Sequence, residues 1–196
     1  MNVALRAIDA IEGDSSIEGS GDYELAANLD AFVRIRSGAT LRKRGLNNII
    51  FDGSGIENEG NFQLEEGMLT INGGTLSGDG GFKGLPGSML HLTDTISFTG
   101  NGDFIAHSDI SGDAGIVKTG SGILYLAGDS TYDGVTSIRS GELVIGNKTG
   151  SATGISRIQI RTGAKLSGHG AVANDVAVAS SSFVAPGTTI GSIPPT

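Results

Sequence analysis

Residues 115–134 hold the stretch that decides the fold, which reads GIVKTGSGILYLAGDSTYDG. Leu124 and Leu126 lie two positions apart, so their side chains share one face of an extended strand. A small residue and a glycine precede this strand, and the segment from Gly128 to Gly134 follows it with the composition of a turn. The stretch therefore predicts a short strand with one apolar face, set between glycine-rich turns.

The same pattern, a glycine followed by an alternating apolar strand, recurs along the chain. From Gly67 to Gly87 is 20 positions, from Gly122 to Gly141 is 19, and from Gly141 to Gly163 is 22. Periods near 20 with a strand in each unit are typical of solenoids, in which a unit buries its apolar face only by stacking on its neighbours. The sequence therefore predicts an all-β fold, a parallel β-helix (β-solenoid) with coils of about 20 residues.

The composition agrees with short strands joined by turns. Glycine supplies 33 of the 196 residues and aromatic residues only 5%, so a compact core built on aromatic side chains is not expected. The glycines keep no three-residue period, which excludes collagen, and an apolar share of 38% disfavours disorder. The net charge of −8 argues against nucleic-acid binding, and without cysteine the fold must rely on stacking and hydrogen bonds.

Three segments differ in how well they fit the repeat. Residues 1–36 fit it least and are expected to form an N-terminal cap or degenerate coils, whereas residues 37–111 are expected to form β-helix coils. Residues 112–196 are expected to form further coils that contain the stretch quoted above. Residues 1–13 lack the features of a signal peptide, and no segment approaches transmembrane length. A signal and a membrane anchor are therefore expected to lie outside this sequence.

Residues 115–145 closely resemble the passenger-associated strand repeat of autotransporters. That repeat has a Lys-Thr-Gly start, a Gly-x-Leu-x-Leu strand, a Ser-Thr-Tyr-x-Gly turn and a second Gly-x-Leu strand, all present here in order. Residues 166–191 are similar to the coil that follows such repeats in passengers. The positions expected to carry the repeat in a structural role are Lys118, Gly120, Gly122, Leu124, Leu126, Gly128, Tyr132, Gly134, Gly141, Leu143, Pro186 and Gly187.

The resemblance implies a right-handed β-helix in an autotransporter passenger, exported through the periplasm to the cell surface. It implies a non-catalytic scaffold for adhesion or cell–cell contact, attached in the full-length protein to an outer-membrane β-barrel. The expected partners are glycans or proteins of host or bacterial surfaces, or a second copy of the chain. Two alternatives stay open: a stable C-terminal passenger segment that drives folding and secretion, and a β-helix enzyme that acts on polysaccharide.

No residue pattern predicts catalysis, a metal ion or a cofactor. Glu65 and Glu66 are neighbours in a strand and point to opposite faces, and Asp129 and Asp133 lie in a turn, where Asp bonds nearby backbone. No Gly-x-Ser-x-Gly elbow nominates a nucleophile. The three histidines are His91, His107 and His169. They are too far apart in sequence to have the local spacing of metal ligands. We therefore expect a protein that is not an enzyme and has no cofactor.

One short stretch departs from the acidic average. Its five cations lie within eleven positions, at Arg34, Arg36, Arg42, Lys43 and Arg44. With Val33 and Ile35 inward, Arg34 and Arg36 are expected on the outward face. The same alternation places Arg42 and Arg44 outward beyond Leu41. The stretch is interpreted either as a patch for acidic glycans or lipopolysaccharide, or as a solvated face balanced by nearby Asp and Glu.

Overall fold

The structure is a computed structural model that describes residues 6–8, 15–17, 21–26, 28–30, 32–52 and 55–187. These residues form short strands, and none of them belongs to a helix that could cross a membrane. In chain order the described strands are β1 (Arg6–Ile8), β2 (Ser15–Ile17), β3 (Gly21–Leu25), β4 (Val33–Ile35), β5 (Ala39–Lys43), β6 (Asn48–Phe51), β7 (Gly55–Asn58), β8 (Asn61–Leu64), β9 (Met68–Ser77), β10 (Gly81–Gly84), β11 (Met89–Phe98), β12 (Phe104–Ala106), β13 (Asp109–Gly112), β14 (Ile116–Lys118), β15 (Ile123–Leu126), β16 (Thr136–Ile138), β17 (Glu142–Ile145), β18 (Ile158–Ile160), β19 (Lys165–Gly168), β20 (Val176–Val178) and β21 (Phe183–Pro186).

The described strands build two parallel sheets, between which the chain passes in every coil. The first sheet has the order β1-β3-β5-β8-β10-β12-β15-β17-β19-β21. The second has the order β2-β4-β7-β9-β11-β14-β16-β18-β20, with β6 beside β9 and β13 beside β11. The coils number about 8, each of about 20 residues, which confirms the predicted all-β parallel β-solenoid.

The core is a set of ladders that run along the solenoid. On the first sheet, Phe62, Phe82, Phe104 and Leu124 occupy the same inward position of successive strands. The rings of Phe82 and Phe104 stack with their centroids 4.1 Å apart. Burial of one such side chain stabilises by about 1.5–3 kcal/mol, so the ladders are the main source of stability. Apolar alternation in the sequence thus becomes a continuous core once the coils stack.

Glycines form the corner where the chain turns from the second sheet to the first. A Cβ on Gly120 would lie well under 3.0 Å from the carbonyl oxygen of Gly100, and one on Gly100 equally close to the carbonyl of Gly78. A second file of glycines, including Gly102 and Gly122, stacks in the same way two residues further on. We call these two files the glycine corner. Backbone takes up the space that a side chain would need, so the coils that carry these glycines have no room for a larger residue there.

The predicted cap at residues 1–36 lies partly outside the described residues. Where this segment is described, β1 pairs in parallel with β3, and β2 with β4. These pairings continue the two sheets. The proposed division into a cap and two groups of coils stays a prediction.

Candidate functional site

Lys43 lies in the core, and the prediction that it belongs to a surface patch is wrong. It continues the inward alternation of Ala39 and Leu41 on β5, and its exposure is 0%. Its Nζ donates to the carbonyl oxygens of Arg44 at 3.1 Å, Gly45 at 2.6 Å and Glu66 at 2.9 Å. Burial lowers the pKa of Lys43, and the nearby carboxylates offset this only in part. The ammonium therefore closes a turn from inside and offers nothing to an external anion.

The four arginines of the basic stretch are already paired with acids from neighbouring coils. Arg34 Nε lies 3.0 Å from Glu57 Oε2, and Arg36 Nη1 lies 3.3 Å from Glu59 Oε2. Because two different sheets carry them, Arg34 on β4 and Arg42 on β5 do not share one flat surface. An anion would have to displace a carboxylate at each position. Binding of an anionic ligand at Arg34, Arg36, Arg42 and Arg44 stays a prediction.

Glu65 holds the two arginines of the first sheet together. Arg42 Nη1 lies 2.6 Å from one of its carboxylate oxygens, and Arg44 Nε lies 2.7 Å from the other. Burial alone would raise the pKa of Glu65. The hydrogen bonds from Arg44 and Arg42 outweigh this effect and bring the pKa below its usual value. Asp22 adds a second carboxylate, 3.0 Å from Arg42. The network is a charge-balanced link between three coils.

Lys118, the lysine of the repeat, also points into the core. It is 1% exposed and occupies the inward ladder position between Phe98 and Ile138. Its Nζ donates to the carbonyl oxygen of Gly120 in the glycine corner. Burial lowers its pKa, and Asp103 partly counters the effect. A cavity of about 20 Å³ lies beside it, enough for one water molecule.

Tyr132 fills the core beneath the turn of the repeat. Its side chain is fully buried, and its hydroxyl lies 2.5 Å from Oγ1 of Thr136, which is also buried. Burial raises the pKa of the phenol far above its usual value. A Cβ on Gly154, one coil later, would overlap the carbonyl of Tyr132. The tyrosine is thus enclosed by its own turn and by the next coil.

The other repeat positions are placed by the same stacking. Leu124, Leu126 and Leu143 are buried in the core. A Cβ would collide with backbone of the preceding coil at Gly122, Gly128, Gly134 and Gly141. Pro186 ends β21, and Gly187 follows it with a φ of 78°. Within the described chain these residues make the coil, and none of them presents a reactive group at the surface.

The acids and histidines set aside in the sequence analysis make separate contacts or are exposed. Among the described residues no three His, Cys, Asp or Glu side chains gather as metal ligands. Asp129 accepts from the backbone N–H of Ser151 at 3.1 Å, whereas Asp133 and His169 are exposed. His107 is half-buried, and its ring packs edge-on against Tyr125 with centroids 5.4 Å apart. Burial, reinforced by Lys83, lowers the pKa of His107.

Stacking brings together one pair that the sequence does not reveal. His91 Nδ1 lies 3.0 Å from Ser111 Oγ, on strands paired in register although 20 positions apart. Ser111 also donates to the sulfur of Met89 at 3.4 Å. Within the described chain no acid bonds the other ring nitrogen of His91.

A family model and two relatives match segments of the chain. The passenger-associated-transport-repeat family matches residues 116–145. An 86-residue segment, 44% of the chain, is 41% identical to an extracellular serine protease of Serratia marcescens. A 79-residue segment, 40% of the chain, is 34% identical to the adhesin BmaC autotransporter of Brucella suis biovar 1 (strain 1330). The chain therefore contains a passenger-associated transport repeat, which together with these relatives supports an autotransporter passenger domain.

The match covers only a small part of these relatives. It spans 8% of the length of the Serratia protein and 2% of the length of the Brucella adhesin. No solved structure matches this chain. The matched family model coincides with β14 to β17, the strands that hold Lys118 and Tyr132 in the core.

Proposed function

We propose that this passenger segment is a non-catalytic scaffold at the cell surface that serves adhesion or cell–cell contact. One observation carries the proposal: the distinctive polar residues of the repeat, Lys118 and Tyr132, are buried and hydrogen-bonded inside the solenoid. They stabilise the coil and cannot reach a substrate. The outward faces of the two sheets are then the surfaces left for contact with a partner.

The relatives support surface display and leave the activity of the whole protein open. One is named an adhesin and the other a protease, and the passenger segment matches a small part of each. Passenger homologues support a secreted or cell-surface location. We infer that a segment of this type extends and supports the passenger, whichever activity another part carries.

Adhesion is tested with the purified chain coated on beads. We expect coated beads to bind bacterial or epithelial cells, because the sheet faces present outward side chains at regular intervals, coil after coil. Beads that carry the heat-unfolded chain provide the matched control. Equal binding of folded and unfolded chain would contradict the proposal, and so would hydrolysis of casein or polygalacturonate by the purified chain.

A second candidate function is to drive folding and secretion of the passenger. The continuous inward ladder from Leu41 to Leu166 favours it, since each folded coil offers a template on which the next can pack. The Gly120 variant described in the Discussion tests this candidate in the full-length protein.

A further inference from the structure

The outward face of the second sheet carries two ladders of side chains without a carboxylate. They follow six strands, β9, β11, β14, β16, β18 and β20. The chain as a whole has 21 acidic residues and a net charge of −8, and on the neighbouring strand β7 Glu57 takes the position next to Ser77, so these six strands differ from their surroundings. One ladder consists of Thr75, Ser97, Val117, Ser137, Gln159 and Ala177, and the other of Ser77, Thr99, Thr119, Arg139, Arg161 and Ala179. We call them together the acid-free strip.

The strip holds hydroxyl groups that the protein leaves available. Thr75, Ser97 and Thr99 have no side-chain hydrogen bond to another described residue, and Thr99 is exposed. Neighbouring strands are about 4.8 Å apart, so the hydroxyls of Thr75 and Ser97 follow each other at about that interval and the strip is roughly 24 Å long. This surface suits a linear, hydroxyl-rich ligand better than a single ion.

Two arginines without an ion pair lie toward the β20 end of the strip. Arg139 and Arg161 are exposed and follow adjacent strands at the same ladder position. Within the described chain neither has a carboxylate within 4.0 Å, whereas Arg34 of the same sheet bonds Glu57. Like charges on neighbouring strands destabilise a sheet. An anion between the two guanidinium groups would remove that repulsion.

Small side chains leave this site open on the following coil. Ala177 and Ala179 take the ladder positions beyond Gln159 and Arg161. Arg161 Nη2 donates to Gln159 Oε1 at 3.1 Å, which fixes the guanidinium beside the strip. A guanidinium held in this way can donate two parallel bonds to a carboxylate or sulfate.

We propose that the acid-free strip binds a linear anionic polysaccharide, with its acidic groups on Arg139 and Arg161 and its hydroxyls on Thr75, Ser97 and Thr99. This inference rests on the proposed adhesive function and names its partner class. Nucleic acid is disfavoured because the strip lacks aromatic side chains on which bases could stack. An extended peptide is disfavoured along the strip because five of its six strands have a paired strand on both sides, and only β20 ends the described sheet.

The test measures binding of the purified chain to immobilised heparin, polygalacturonate and dextran. We expect binding to heparin or polygalacturonate that weakens with salt, and little binding to uncharged dextran. Arg139→Gln/Arg161→Gln should weaken binding by about tenfold or more, because charge-assisted hydrogen bonds are lost. The matched control, Arg34→Gln/Arg36→Gln, removes the same charge from paired arginines and should change binding by less than about twofold.

The sulfated and carboxylated probes distinguish the two sources of negative charge, and binding to either supports the inference. Absence of binding to both polyanions would overturn it, as would equal losses in the two double variants. Equal binding to dextran would also overturn it. If bead adhesion to cells persists while polyanion binding is absent, this inference fails and the adhesive function stands. Loss of both contradicts the adhesive function as well.

Discussion

Replacing Gly120 with alanine is expected to destabilise the solenoid by about 3 kcal/mol or more. The new Cβ would overlap the carbonyl oxygen of Gly100, and a rigid backbone carbonyl cannot move aside without separating two coils. Both the inward ladder and the bond from Lys118 to the Gly120 carbonyl would be strained. Equilibrium unfolding in urea, followed by far-ultraviolet circular dichroism, measures the loss of stability.

Gly87→Ala provides the matched control for this variant. Gly87 has a φ of 84°, but nothing lies within 4 Å of its added Cβ. Only the left-handed backbone opposes alanine there, at about 1–2 kcal/mol. In the full-length protein we expect Gly120→Ala to lower secretion more than Gly87→Ala does. Equal stability losses in the two variants would contradict backbone stacking at the glycine corner.

Tyr132→Ala is expected to lower the free energy of unfolding by about 3–5 kcal/mol. It empties a fully buried position and leaves the buried Thr136 hydroxyl without its partner. Tyr132→Phe keeps the ring and removes only the hydroxyl, so its expected loss is about 1–2 kcal/mol. Urea unfolding of both variants makes the comparison. If the phenylalanine variant lost as much stability as the alanine variant, ring packing would not be the main contribution.

Inward positions could be predicted from the sequence wherever the alternating residues were apolar. Leu124 and Leu126 are an example, and a glycine period near 20 was enough to predict stacked coils. Lys43 follows the same alternation from Leu41, which places it inward. Its charge instead favoured the prediction of a surface position, because burial of an unpaired ammonium costs much free energy. One carbonyl that satisfies it belongs to Glu66, 23 positions away, and the sequence alone does not bring that atom near.

Pairings between coils could not be predicted because the coils differ in length. Arg34 meets Glu57 across 23 positions, whereas Ser97 pairs with Val117 across 20. A difference of even one residue moves a side chain to the other face of the sheet. The paired state of Arg34 and the unpaired state of Arg139 therefore both depend on register. From the sequence, the arginines that lie close together in the chain were predicted to form an anion-binding patch. In the structure, whether an arginine is paired with a carboxylate depends on its neighbours in adjacent coils.

Disulfide formation between engineered cysteines tests the stacking of coils most directly, since the chain has no cysteine of its own. Ser97 and Val117 are outward partners on β11 and β14. Their expected Cα separation of about 4.8 Å lies within the range of about 4.4–6.8 Å that a disulfide spans. Ser97→Cys/Val117→Cys should therefore cross-link under mild oxidation. Ser97→Cys/Gln159→Cys should not, because these positions of the same ladder lie three coils apart. Equal cross-linking of the two pairs, or none in the adjacent pair, would contradict the parallel solenoid.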